Sequence, residues 1–240
     1  MRFNLTVVFL LIIQLISSQE KKAEFKVQLN NKGKVEFKSD FNSFEHKFDF
    51  FYEDENYIVK DSCRGEFGGT VEFRNKKTDK VYVSKATCPS SLIKIDGKYY
   101  LTTSLAHMSG FSGIYEIVEP TKLTELKEDD TEKDKFFKKK SDSGLKELYR
   151  NIGGTILVSF PYKDKLYFIT SDRDGTYLTE RKESELIKIK KLLDFKVYTY
   201  ETGIKITDDN HYVNNFQIGY GKEIGFFDIK DNVININLYK

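Results

Sequence analysis

The chain has 240 residues, with 39 basic and 37 acidic side chains, three histidines, two cysteines and no tryptophan. A net charge of +2 offers no cationic surplus for neutralising a phosphate backbone, so nucleic acid is excluded as a partner. The length suits one sizeable core, and 15 Tyr and 20 Phe among Val, Ile and Thr favour strands.

The first element is a targeting signal. Arg2 supplies the positive end, "LTVVFLLIIQLI" (5–16) the apolar stretch, and Ser17 and Ser18 the small residues at the cut. The apolar run is short for a bilayer, polar "SSQEKK" follows at once, and no cysteine is placed for a lipid anchor. Residues 1–18 therefore read as a cleaved signal peptide. The mature chain starts near Gln19, is secreted or periplasmic, and has no membrane span after signal removal. In that compartment Cys63 and Cys88, 25 residues apart, most simply form one disulfide. Next, "EFKVQLNNKGKVEFKSD" from Glu24 reads as an N-terminal hairpin.

From Lys47 a unit recurs: apolar strand, turn with Asp, Tyr-led strand, polar or Gly turn, further strand. It is "KFDFFYEDENYIVKDSCRGEFGGTVEF", then "SLIKIDGKYYLTTSLAHMSGFSGIYEI" from Ser91, "ILVSFPYKDKLYFITSDRDGTYLTE" from Ile156 and "GIKITDDNHYVNNFQIGYGKEIGFFDI" from Gly203. Each carries Asp, two residues, Tyr: Asp54 and Tyr57, Asp96 and Tyr99, Asp164 and Tyr167, Asp209 and Tyr212. The spacings are 42, 68 and 45 residues. The excess in the middle gap falls in 121–149, a charged stretch read as an insertion outside the sheets, with a short helix near Leu145–Tyr149.

A period in the low forties built from four short strands is the pattern of a β-propeller blade. The third unit adds a resemblance. "YKDKLYFITSDRDGTYL", through Asp164, Ser171, Asp172, Arg173 and Gly175, resembles the repeat of TolB-like periplasmic propeller proteins. It implies an all-β, propeller-like domain over 19–240 in which the Ser-Asp-Arg-x-Gly stretch is chiefly a blade turn. Such propellers usually have six blades. This chain has length for four, or five with the N-terminal hairpin.

With four strands to a unit, the turns between strands two and three share one end with the crossings between units. That end would gather Arg64, Glu66, His107, Asp172, Arg173, Asp174, Tyr220 and Lys222 as ligand-binding candidates. "DRDG" is also good turn chemistry, since Asp accepts from turn amides and Gly takes positive φ. His107 reads first as a turn residue bonded to backbone. Cys63 and Cys88 belong at this same end, where a bridge is sterically reasonable.

No zinc spacing, phosphate loop or serine elbow is present, so no metal or cofactor is implied. The leading expectation is a monomeric, non-enzymatic exported module that binds a peptide, protein or glycan on one propeller face. The alternatives are a glycan-active enzyme using carboxylates from Glu66, Asp172 and Asp174, and a structural envelope component.

Overall fold

The computed structural model describes residues 24–107, 110–199, 204–208, 210–219 and 223–240. The signal segment 1–18, Asp209, Tyr220 and Lys222 lie outside the described residues.

The chain enters through the last sheet it builds. Strand β1 (Lys26–Lys32) pairs parallel with β19 (Val233–Tyr239). The first sheet then follows as β2 (Tyr52–Glu53), β3 (Tyr57–Cys63), β4 (Gly69–Asn75) and β5 (Val81–Lys85), with β9 (Thr124–Leu126) on its edge. The second is β6 (Pro89–Ile95), β7 (Lys98–Leu105), β8 (Phe111–Ile117) and β10 (Lys146–Ile152). The third is β11 (Thr155–Tyr162), β12 (Lys165–Asp172), β13 (Gly175–Lys182) and β14 (Glu185–Leu193). In the fourth, β15 (Val197–Tyr198) and β16 (Ile204–Asp208) both pair β17 (His211–Ile218), which continues to β18 (Glu223–Lys230) and β19. The fold is all-β, made of several largely antiparallel sheets, each assembled mostly from consecutive strands.

Burial of β-branched and aromatic faces between successive sheets drives this arrangement. Val59, Phe73, Leu92 and Leu101 join the first sheet to the second. Ile114, Ile156 and Phe168 join the second to the third. Ile169, Leu178, Phe227 and Ile236 join the third to the fourth. The far face of the fourth sheet, with Val213, Phe226 and Tyr239, is covered by Phe37, Phe41 and Phe44.

That cover corrects the expected N-terminal hairpin. Only Lys26–Lys32 is a strand; Lys34–Glu36 is a 3₁₀ turn and Phe37–Asn42 an α-helix. Phe37 and Phe41 stand four residues apart, so one helical face presents both rings to Phe226. Asp40 fastens the helix by accepting from Tyr239 Oη and Lys32 Nζ, each at 2.7 Å.

The insertion also differs from its sequence reading. Its helix is Glu132–Lys138, opened by a capping box in which Thr131 and Asp134 each accept the other's backbone N–H. Residues 145–149 are not helical: Lys146 onward is β10, antiparallel to β8. Leu148 and Tyr149 pack there against the Ile114–Ile156–Phe168 cluster, and that burial outweighs any local helical preference. The insertion thus supplies edge strands to two sheets rather than standing outside them.

All four tyrosines of the recurring motif are buried, near the starts of β3, β7, β12 and β17, each of which lies next to an edge strand of its sheet. The aspartates serve two purposes. Asp96 with Gly97, and Lys163 with Asp164, take positive φ at both centres of two-residue hairpins, the geometry that matches strand twist. Asp54 instead accepts from the amides of Asn56 and Tyr57, both at 2.9 Å. It also accepts from Tyr99 Oη at 2.6 Å and Lys94 Nζ at 2.8 Å on the second sheet.

Candidate binding surface at the disulfide end

The turns joining β3 to β4, β7 to β8 and β12 to β13 lie at one end of the molecule, in contact through the crossings between sheets. Glu66 Oε2 is 3.1 Å from His107 Nδ1, linking the turns of the first two sheets. Gly153, in the crossing from β10 to β11, donates its N–H to the Gly110 carbonyl at 3.1 Å. The next residue, Gly154, packs beside the third turn: a methyl group there would come 3.5 Å from the Ser171 carbonyl and 3.8 Å from Asp172 Cβ.

The first turn is the most constrained. Arg64 donates its N–H to the Gly68 carbonyl at 2.7 Å. Gly68 has φ +89°, and a Cβ on Gly69 would overlap the Ser62 carbonyl. The Cys63–Cys88 disulfide, with Cα atoms 4.3 Å apart, ties this turn to the crossing into the second sheet. The pairing expected from the sequence is therefore present.

A layer of hydroxyls beneath the turns was not read from the sequence as a device. Directly paired residues flanking each turn, one step in from the last strand pair, are Ser62 and Thr70, Ser104 and Ser112, and Ser171 and Thr176. Ser112 Oγ donates to the Gly154 carbonyl at 3.3 Å. Thr176 Oγ1 donates to the Phe195 carbonyl at 3.0 Å, and Ser171 Oγ accepts the Val197 N–H at 2.9 Å. These bonds satisfy buried crossing backbone. The available signal was a serine in "DSC", "TSL" and "TSD" immediately before each turn.

The structure separates the candidates that the sequence grouped. Glu66 and His107 meet. Asp172 accepts the Asp174 N–H at 2.9 Å and pairs with Lys188 Nζ at 2.8 Å. Burial pushes its carboxyl up, but the lysine and the turn amides outweigh this and hold it below the usual carboxylate range. Arg173 and Asp174 are exposed at the hairpin tip. Among the described residues, no hydrogen bond or ion pair joins the Asp172–Asp174 turn to Arg64, Glu66 or His107.

Apolar side chains that the sequence reading passed over stand out at this end. Phe67 is 86% exposed, Ile152 72% and Phe195 37%, one on a turn and two on crossings or their edges. Phe67 rims a cleft of about 720 Å³ between the first and second sheets, with Lys85, Ala86, Phe111, Tyr115, Leu145 and Arg150 among its walls. Phe111 and Ile152 are direct cross-strand partners, and the Arg150 guanidinium lies 5.5 Å from the Phe111 ring centre. Tyr115 folds over Gly113, where a Cβ would meet its ring at 2.9 Å. Burial and the nearby Glu147 carboxylate push the Tyr115 phenol up, with Arg150 opposing.

Further clefts lie elsewhere among the described residues. One of about 800 Å³ runs over the outer face of the first sheet beside Ile58, Arg74, Val81 and Leu126. Another, about 450 Å³, lies between the second and third sheets near Tyr100 and Leu166. Among the described residues, no three His, Cys, Asp or Glu side chains are grouped to hold a metal, and no helix is long and apolar enough to cross a membrane. Comparison with protein-family models, curated proteins and solved structures finds no match to this chain.

Proposed function

We propose that this protein is an exported binding module whose four sheets are arranged as propeller-like blades, with its partner docking at the disulfide end. The observation that carries the reading is Phe67. A large apolar ring is held out in solvent on a turn pinned by a disulfide and by Gly68, beside a cleft of ligand size. Such exposure opposes solubility, and rigid aromatic anchors are what binding surfaces use. Ile152 and Phe195 extend the apolar element across the other crossings. Export is supported by the signal-like residues 1–18 and by the disulfide.

The glycan-hydrolase alternative is less well supported. Asp172 is engaged as a turn acceptor and lysine partner, and Glu66 pairs with His107 on another sheet. The test is to probe peptide and glycan arrays with the processed protein and with Phe67→Ser. A partner bound by the first and lost by the second is expected. Binding indifferent to Phe67→Ser refutes this location, and turnover of a glycan refutes the non-enzymatic reading.

A further inference from the structure

Granted that the disulfide end binds a partner, we propose that the cleft between the first and second sheets takes an acidic peptide segment carrying one bulky apolar side chain. The charges around the cleft are uneven. Lys85, Lys139, Lys140 and Arg150 line it against only Asp142 and Glu147, in a chain whose overall charge is nearly balanced.

Two of these cations are already committed at short range: Lys85 to Asp142 at 2.7 Å and Lys139 to Glu72 at 2.8 Å. The other two rest on aromatic rings. Lys140 Nζ is 4.0 Å from the Phe136 ring centre, and Arg150 lies over Phe111 with Glu147 no nearer than 3.9 Å. An incoming carboxylate meets Lys140 and Arg150 without displacing a close ion pair. A guanidinium held over a ring is also preoriented for two-pronged carboxylate binding.

The apolar part of the partner follows from the remaining wall. Phe67, Ala86, Tyr115 and Leu145 face the same space, and covering them removes exposed carbon from water. A sugar is matched less well. A neutral sugar brings no charge to set against the surplus of cations in the lining.

The experiment pans a phage-displayed random dodecapeptide library on the processed protein. Selected peptides are then measured by fluorescence anisotropy against wild type, Arg150→Glu and Phe67→Ser, with oligogalacturonate as an acidic-glycan probe. The expected winners place Asp or Glu around a Phe, Trp or Leu. They should bind about tenfold more weakly to Arg150→Glu and about thirtyfold more weakly to Phe67→Ser. Neutral or basic winners that still depend on Phe67 overturn the acidic assignment and leave the binding module standing. Oligogalacturonate binding that depends on Phe67, with no peptide selected, overturns the peptide in favour of a glycan. If neither class of probe responds to Phe67→Ser, both the assignment and the binding reading fail.

Discussion

Replacing Asp54 by alanine should destabilise the protein by about 3 to 4 kcal/mol. Its side chain is only 7% exposed and accepts from four donors on two sheets. The amides of Asn56 and Tyr57 sit in a turn where water substitutes in part, so their loss contributes about 0.5 to 1 kcal/mol each. Tyr99 is buried and donates its hydroxyl to Asp54, and leaving it without an acceptor costs about 1 to 3 kcal/mol. Lys94 retains Glu55 at 2.7 Å and contributes least. For a chain of this size the fall in Tm is about 6 to 15 °C.

Tyr99→Phe alone should cost about 1.5 to 2 kcal/mol, because Asp54 keeps its other three donors. Chemical denaturation of both single variants and the double variant gives the coupling, expected to be at least about 1 kcal/mol. Acid titration adds an independent readout. Burial raises the Asp54 pKa, but its donors bring it below its ordinary value of 3.8. The stabilisation is therefore present above the unfolded-state pKa and is lost as pH falls through the lower folded value. Wild type should lose more stability than Asp54→Ala on acidification below about pH 5. A cost under about 1 kcal/mol for Asp54→Ala, or zero coupling to Tyr99, refutes the claim that this carboxylate binds the first two sheets together.

Gly175→Ala should be among the most damaging changes to the "SDRDG" turn, since φ is +143° and the new Cβ would lie 2.6 Å from the Leu193 carbonyl. Thermal melting is expected to show a loss of at least about 2 kcal/mol, and an unchanged Tm contradicts it. Asp172→Ala should cost about 1 to 2 kcal/mol by removing the acceptor for the Asp174 amide, whereas Arg173→Ala at the exposed tip should leave melting within about 0.5 kcal/mol. Cys63→Ser opens a 25-residue separation and should lower stability by about 3.5 kcal/mol in oxidising buffer on the chain-entropy account, with little difference from wild type under reductant. Equal melting in both buffers contradicts a stabilising bridge.

Local chemistry by itself determined the all-β class, the positions of most central strands and the Cys63–Cys88 pairing. Runs such as "KYYLTTSL" and "GIYEIVEP" carry β-formers between turn residues, so β7 and β8 lie where the sequence puts them. The Asp96–Gly97 hairpin follows from residues that both tolerate positive φ, and in the Lys163–Asp164 hairpin only the aspartate does. Elements whose identity depends on a distant partner were decided only by the tertiary structure. "KVEFKSDF" alternates well enough for a strand, yet it coils because Phe37 and Phe41 reach the bare face of the fourth sheet. Residues 146–149 extend because β8 offers an open edge beside Ile114. The candidate site divides in the same way. The end that gathers the turns was legible from strand order, and so was the turn role of Asp172. Phe67 and Phe111 were not, because an apolar residue in a strand-rich sequence reads as core, nor was Arg150, because it ends a charged stretch that reads as solvated surface. Only the packed sheets leave Phe67 in solvent and bring it to a cleft whose other wall is built about 45 to 80 residues further along the chain, from Phe111 to Arg150.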